Sequence, residues 1–465
     1  MPFNLKTPKA QVVLMGTVFF FVFSAFLTIQ AFASDMYGED LGSKMATSLY
    51  LSFSFFSFLS PSVTNKLGAK MTMFWGTIGY AGLVAASLIY FENLDSSFDY
   101  VVILGGISCG LGAALLWTAQ GRLIMQYSDG TDNGHLFSIF WALFNMSALV
   151  GGLLTFFFFG NDEGGGDDDD STDGSAVLYV VFLGFIVLGA LATQMLLPPK
   201  VVKAAVATNI IGGNTHNHSH SDLPLLDKEV DSNDSTEEIS KENWLAEMGA
   251  TIAMFGTRRM VFLSLIFFYT GYNQPYQLNT FGNRIFQKQT IGLEMIIFYM
   301  SEIVGGLYVG SMLDKSAGNK QVQREASKKC LLLFFVVTSL SFVLCYFQEV
   351  GCAFTSDDDA ECNTEKDEDK VSYTQLEALR PSIIFALWGF SDSQIQTYSY
   401  WLMGTLYDSG VEQARAVGFY KMIQSLGWAI GFALVPQDVM EPIVQMGCTA
   451  ACFLVGLGLA LMELP

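Results

Sequence analysis

Residues 123–152 read LIMQYSDGTDNGHLFSIFWALFNMSALVGG, and residues 403–432 read MGTLYDSGVEQARAVGFYKMIQSLGWAIGF. The two stretches align without a gap, and the alignment pairs Tyr127 with Tyr407. Self-similarity at a long, fixed separation indicates that one structural unit occurs twice in the chain. The sequence therefore predicts two related halves.

Each half contains apolar runs of membrane-spanning length. Hydrophobic residues make up 51% of the chain and charged residues only 15%, and a helix needs about 20 apolar residues to cross a bilayer. Twelve such runs are centred near Phe21, Phe53, Leu83, Cys109, Leu149, Ile186, Phe267, Ser301, Val336, Gly389, Ser425 and Cys452. The pattern predicts a multi-pass protein that crosses the lipid bilayer as twelve transmembrane helices.

A second internal correspondence supports the division into halves. NKLGAK (65–70) follows the second span and KSAGNK (315–320) follows the eighth, and both contain Gly-x-Lys at a turn. We predict an all-α, 6+6 pseudo-symmetric fold with six-helix bundles at 1–197 and 258–465. A polar linker at 198–257, too poor in apolar residues to fold alone, joins them.

The distribution of basic residues predicts the orientation. Of the 24 Lys and Arg residues, 17 fall in loops and tails on the N-terminal side of the membrane and six in the opposite loops. Positive charge favours the cytosol, so both termini are expected there, in either the plasma membrane or an endomembrane. The opposite loops carry acidic tracts at 161–174 and 356–369, which we interpret as solvated loops rather than a cation-collecting vestibule.

The linker contains one segment of helical character, ENWLAEMGATIAMF (242–255). We expect it to form an amphipathic helix at the membrane surface. Upstream, HNHSHSD (216–222) matches a metal-binding His tract and DLPLL (222–226) matches an acidic dileucine sorting signal. A disordered loop produces such matches by chance, so we predict neither function from them.

The seven cysteines are too few and too scattered for a disulfide framework. Cys352 and Cys362 flank one acidic loop on the side assigned as oxidising, and they are candidates for a local disulfide. The other five lie in or beside predicted spans, where a free Cys behaves as a small hydrophobe.

Four motifs carry a resemblance to a known family: LLWTAQG (115–121), FSIFWALFN (137–145), GFSDSQIQTYSYWLMG (389–404) and GFYKMIQSLGWA (418–429). The chain resembles the uncoordinated-ninety-three-like family, also called the ion channel regulatory protein family, of the major facilitator superfamily. The resemblance implies two bundles that rock about a site near the membrane midplane. It also implies a role that some relatives are thought to have, the regulation or escort of a membrane-protein partner. The linker and the acidic loops depart from the family pattern.

Trp117, Gln120 and Arg122 lie at the end of the fourth span. We expect Trp117 to anchor at the inner membrane interface and Arg122 to follow the inward bias of positive charge. Gln120 is expected to hydrogen-bond across a close helix contact made by nearby glycines. These glycines are Gly106, Gly110 and Gly112. As the alternative, Gln120 and Asn145 of the fifth span are candidates for a transport pathway.

Three ionisable residues fall deep within predicted spans: Glu302, Asp392 and Lys421. A charge at such depth costs about 3 kcal/mol or more unless it is paired or hydrated. Asp392 and Lys421 lie at similar depths on adjacent spans, so we interpret them as a structural ion pair in preference to a coupling site. Glu302 has no cation nearby in the sequence. It is the candidate for a protonatable carboxylate that faces a cavity, and a neutral hydrogen-bonded Glu is the alternative.

The seventh span contains GYNQPYQLNTFGN (271–283), in which Pro275 removes a backbone hydrogen bond. Asn273, Gln274 and Gln277 supply amide groups beside this break. Broken helices lined with polar side chains are where facilitators bind substrates, so these residues are candidates for the transport pathway. The alternative is a kinked interface helix.

No catalytic or cofactor motif is present in the sequence. It contains no P-loop, no zinc-ligand spacing, no nucleophile elbow and no basic patch for nucleic acid. We therefore expect neither an enzyme nor a bound cofactor. Two function classes remain: a secondary transporter of a small solute, and a non-transporting regulator or trafficking partner of an ion channel or another membrane protein.

Overall fold

The structure, a computed structural model, describes residues 4–31, 36–92, 98–128, 131–160, 171–205, 244–353, 370–434 and 439–465. The long helices of the first half are α1 (Pro8–Ala31), α2 (Glu39–Leu67), α3 (Ala69–Glu92), α4 (Asp99–Tyr127), α5 (Asn133–Gly160) and α6 (Ser171–Thr193). A shorter helix, α7 (Trp244–Phe255), precedes the second half. The second half contains α8 (Arg258–Gln274), α9 (Lys288–Asp314), α10 (Lys320–Ala353), α11 (Leu379–Leu406), α12 (Gly410–Ala433) and α13 (Pro442–Ala460).

Apart from α7 and the shorter helices, the described residues form twelve long helices, six in each half, which confirms the predicted all-helical 6+6 fold. Six helices in the described part are long and apolar enough to cross a membrane on length and composition alone, and the bent pair of α7 and α8 adds a seventh. The helices α11 and α12 are more polar because they turn Ser, Thr and Gln side chains toward the protein interior. We call α1–α6 the first bundle and α8–α13 the second bundle.

Equivalent turns of the two bundles each contain a glycine with a similar positive φ. Gly68, between α2 and α3, has a φ of 80°, and Gly318, between α9 and α10, has a φ of 84°. Only glycine adopts this left-handed region without strain. The shared Gly-x-Lys therefore marks structurally equivalent positions.

Glycines allow close helix packing within the first bundle. A Cβ atom at Gly106 or Gly110 would collide with the backbone of α2, and one at Gly112 would collide with α3 at Gly76 and Gly79. The predicted close approach of α4 to its neighbours is confirmed. Between the bundles, α2 packs along α12 and α5 packs along α9.

The predicted interruption of the seventh span takes a different form. The chain does not break at Pro275; it continues as a π-helical segment, Pro275–Gly282, and a last turn at Asn283–Ile285. A π-helix bonds each N–H to the carbonyl five residues back instead of four, and Pro275 is at the first position of this segment, so the chain stays helical past the proline. At its other end, α8 meets α7 at an angle of 72°.

Candidate functional site

Two buried carboxyl groups face each other where the bundles meet. Glu302 on α9 and Asp392 on α11 are 1% and 0% exposed, and the two carboxyl groups lie close enough to influence each other electrostatically. The helices approach closely because a glycine on each, Gly305 and Gly389, lies against the backbone of the other. Spacing in the sequence does not reveal this pair, because the two residues lie on different elements.

Asp392 accepts three hydrogen bonds from amide groups. Gln396 Nε2 donates to Oδ2 at 2.7 Å, Gln274 Nε2 donates to Oδ2 at 3.2 Å, and Asn273 Nδ2 donates to Oδ1 at 3.5 Å. Gln274 is itself held by Trp428, whose Nε1 donates to its Oε1 at 2.9 Å. Two of the three predicted amides of the seventh span therefore surround the Asp392 carboxyl.

Glu302 faces the first bundle, toward Trp141 and Asn145 of α5. Neither side chain reaches hydrogen-bonding geometry with it: Glu302 Oε2, Trp141 Nε1 and both polar atoms of the Asn145 amide have no partner in the described part of the chain. Buried polar groups are seldom left unpaired, so such a cluster calls for an explanation. The arrangement places a carboxyl with one free oxygen between two bundles.

The predicted direct ion pair between Asp392 and Lys421 is wrong. Among the described residues, Lys421 forms no ion pair within 4.0 Å. Its Nζ donates to Gln424 Oε1 at 2.7 Å, Gln424 Nε2 donates to Gln396 Oε1 at 3.3 Å, and Gln396 donates to Asp392. Two glutamines therefore separate the charges and connect them through hydrogen bonds.

Aromatic rings surround the Lys421 ammonium. Its Nζ lies 4.0 Å from the centroid of the Trp117 ring, 4.9 Å from that of Tyr420 and 5.7 Å from that of Tyr400. A cation over an aromatic face is attracted by the ring quadrupole. Trp117 belongs to the first bundle, so this contact crosses the boundary between the bundles.

The predicted role of Trp117 as an interfacial anchor is wrong. Its side chain is only 5% exposed and packs edge-on against Phe19 and Phe140 inside the first bundle. Arg122, expected only to follow the inward bias of positive charge, donates from Nη1 to Asn65 Oδ1 at 2.9 Å. The small residues of α4 allow neighbouring helices to enclose the tryptophan.

Gln120 hydrogen-bonds between the bundles, whereas the expected bond was to a neighbouring helix at the glycine contact. Its Oε1 accepts a hydrogen bond from Tyr400 of α11 at 3.3 Å, and its Nε2 has no partner among the described residues. The third predicted amide of the seventh span, Gln277, is fully buried, and neither polar atom of its side chain has a partner in the same part of the chain.

Sequence analysis missed Gln396, Gln424 and Trp141. Gln396 follows Asp392 by four residues and Gln424 follows Lys421 by three, which are the spacings at which helical side chains meet. That spacing is the signal that could have identified both glutamines. Trp141 lies within the FSIFWALFN motif, but the sequence did not connect it with Glu302, because that relation arises only when α5 crosses α9.

Several sequence expectations concern residues beyond this site. Cys362, the His tract, the dileucine match and the acidic tracts from 161 to 170 and from 356 to 369 lie outside the described residues, as does the side chain of Cys352. The described cysteines Cys109, Cys330, Cys345, Cys448 and Cys452 are free thiols. In the described part of the chain, no group of three or more His, Cys, Asp or Glu side chains is placed to hold a metal ion.

Known proteins of similar sequence come from fungi, plants and animals. An UNC93-like protein of Schizosaccharomyces pombe is 26% identical over 92% of this chain and 75% of its own length. UNC93-like protein 1 of Arabidopsis thaliana is 23% identical over 94% of this chain and 85% of its own. The UNC93-like protein MFSD11 of Xenopus laevis is 26% identical over 91% and 88%.

Solved structures of similar fold are transporters of the major facilitator superfamily. A bacterial homologue of the iron transporter ferroportin, in an outward-facing state, superposes with a TM-score of 0.58 at 9% identity over 97% of this chain and 99% of its own. The fucose:proton symporter of E. coli has a TM-score of 0.55 at 12% identity over 98% of both chains. Residues 41–456 match the family described as ion channel regulatory protein UNC-93. Since that match covers most of the sequence, the chain belongs to the UNC-93 family and has the fold of the major facilitator superfamily.

Proposed function

We propose that this chain is a proton-coupled secondary transporter of a small solute, whose two bundles alternately expose a central site. The observation that carries the proposal is the buried pair of Glu302 and Asp392 at the boundary between the bundles. Intramembrane carboxyl groups that face a bundle boundary are characteristic of proton relays. Burying two carboxyl groups costs folding free energy, and a transport role explains why the protein keeps the pair.

The two carboxyl groups have different surroundings, which suggests different roles. Asp392 accepts three N–H donors, a pattern that suits an ionised carboxylate. Glu302 has an oxygen without a partner in the described part of the chain. Two close carboxyl groups favour a single proton between them, so we assign the exchangeable proton to Glu302.

The solute is expected to bind beside Glu302. Unpartnered polar atoms belong to Asn145 and Trp141 of the first bundle and to Thr397 of the second, and Thr397 lies near Trp141 across Gly306. A polar solute would satisfy these donors and acceptors, and the aromatic rings around Lys421 would cover its apolar surface. Because both bundles contribute, the loaded site would favour a closed arrangement.

Uptake into proteoliposomes tests this function. The vesicles would be given pools of sugars, amino acids, organic acids or alkali cations. We expect one pool to enter together with protons, which a pH-sensitive dye inside the vesicles would detect. Glu302→Gln should abolish the proton signal and retain exchange, because Gln mimics a carboxyl group that is always protonated. The matched control is Glu294→Gln, a buried carboxyl on the same helix whose Oε1 accepts from Ser382. Normal proton-coupled uptake by Glu302→Gln would refute the assignment.

A non-transporting regulator is the second candidate, favoured by the family description as an ion channel regulatory protein. In that case, no pool would move with the unmodified protein, and a membrane-protein partner would co-purify with it. Such a partner should still bind Glu302→Gln, because the carboxyl pair lies inside the protein.

A further inference from the structure

The helix α7 contacts both bundles through one buried carboxylate. Glu247 Oε1 accepts from Asn65 Nδ2 at 2.9 Å and from Arg415 Nε at 3.0 Å, and Arg415 Nη2 donates to Oε2 at 2.5 Å. Asn65 lies near the end of α2 in the first bundle, and Arg415 lies near the start of α12 in the second. We call the end of the molecule at which these residues meet the linker end.

The contact is shielded from solvent and oriented by a further cation. The Glu247 side chain is 5% exposed and that of Arg415 is 15% exposed. Arg122 donates to Asn65 Oδ1 at 2.9 Å and to the carbonyl oxygen of Thr64 at 3.1 Å. This arrangement turns the NH₂ of the Asn65 amide toward Glu247.

A second contact between α7 and both bundles lies at the other end of the helix. The Phe255 ring lies 4.9 Å from Phe419 of α12 and 5.9 Å from Phe58 of α2, between ring centroids. Phe255 follows Glu247 by eight residues, about 12 Å along a helix. The helix therefore joins α2 to α12 at two points, one charged and one aromatic.

We propose that α7 is a clamp that holds the two bundles together at the linker end, and that the molecule opens there only when Glu247 leaves Asn65 or Arg415. The claim that the clamp must open during transport rests on the proposed function. The claim that α7 holds the two bundles together does not. Removing one partner of a buried charge pair leaves the other without compensation, so the Glu247 contact has a large effect on this equilibrium.

Spin labels on the two bundles test the clamp. Leu67 of the first bundle and Asp408 of the second are exposed. The labels would be attached to cysteines introduced by Leu67→Cys and Asp408→Cys in a protein without its native cysteines. We expect one narrow distance in the parent protein. Glu247→Gln should add a longer distance and raise amide exchange in α7 by about tenfold.

The matched control is Glu463→Gln. Glu463 is also buried and pairs with Arg258 and Arg259, but all three belong to the second bundle. The Glu463→Gln variant should leave the distance between the spin labels unchanged. Arg415→Gln should open the linker end as Glu247→Gln does, because it removes the partner of Glu247 in the second bundle.

The clamp is wrong if Glu247→Gln and Arg415→Gln leave the distance distribution as it is in Glu463→Gln. This result would leave the transport proposal untouched. Conversely, if the distances change as expected while no solute moves, the clamp stands and the transporter proposal fails.

Discussion

At the scale of single residues, amide side chains organise the charges in the centre of the protein. Lys421 and Asp392 are linked through Gln424 and Gln396 without touching. Gln396 has a central position because its Nε2 donates to Asp392, while its Oε1 accepts from Gln424 and from Tyr420. A change at any of these residues should therefore affect the others through the hydrogen bonds of Gln396.

A double-mutant cycle on Asp392→Asn and Lys421→Met tests this connection. In the parent protein, we expect an interaction of about 0.5–3 kcal/mol, obtained from thermal unfolding of the purified protein. In the Gln396→Leu background, the interaction should fall close to zero, because the hydrogen-bonded link is gone.

Gln394→Leu is the matched control for that cycle. Gln394 is a buried glutamine of the same helix, but it donates to the carbonyl oxygen of Cys330. Its loss should lower stability without changing the interaction of Asp392 with Lys421. An interaction that survives Gln396→Leu would mean that the two charges act on each other directly through space.

At the scale of helices, small residues set the contact between α5 and α9. Ser138 Oγ donates to the carbonyl oxygen of Gly306 at 2.6 Å, and a Cβ atom at Gly310 would collide with Gly134 and Ser138. Small residues four apart let helix backbones approach closely in a membrane. This close approach places Glu302 near Asn145 of the other bundle.

Gly310→Ala should therefore lower stability by about 1–3 kcal/mol, since a methyl group at this contact forces the helices apart. Gly184→Ala is the control: Gly184 also lies in a helix, α6, but a Cβ atom there meets nothing within 4 Å. Alanine favours helix over glycine by up to about 1 kcal/mol, so the control should be neutral or stabilising. Equal melting temperatures for the two variants would contradict the proposed role of the contact.

At the scale of the whole molecule, a further contact joins the two bundles on the side of the linker end. Besides α7, Asp314 at the end of α9 accepts hydrogen bonds from the backbone N–H groups of Gly134 and His135, at 2.8 and 2.5 Å. These N–H groups begin α5, so the carboxylate satisfies donors that a helix start leaves free. We propose that this side faces the cytosol, as the distribution of basic residues predicts.

An epitope tag tests that orientation. A tag in the linker at 198–257 should be labelled only after the membrane is permeabilised, whereas a tag in the acidic tract at 356–369 should be labelled on intact cells or sealed vesicles of known sidedness. The opposite pattern would reverse the topology and place the α7 clamp on the other side of the membrane.

The amino-acid sequence by itself predicted the long helices, the two related halves and the glycine positions where helices approach closely. These features follow from local composition and from repetition along the chain, as the similar positive φ angles of Gly68 and Gly318 illustrate. Only the tertiary structure decided which polar groups meet. Glu302 and Asp392 lie 90 positions apart (392 − 302) on different helices, and Lys421 is kept from Asp392 by glutamines. Helical periodicity fixes the face of a residue on its own helix, but the distance between two faces depends on how the helices cross, which no single element determines.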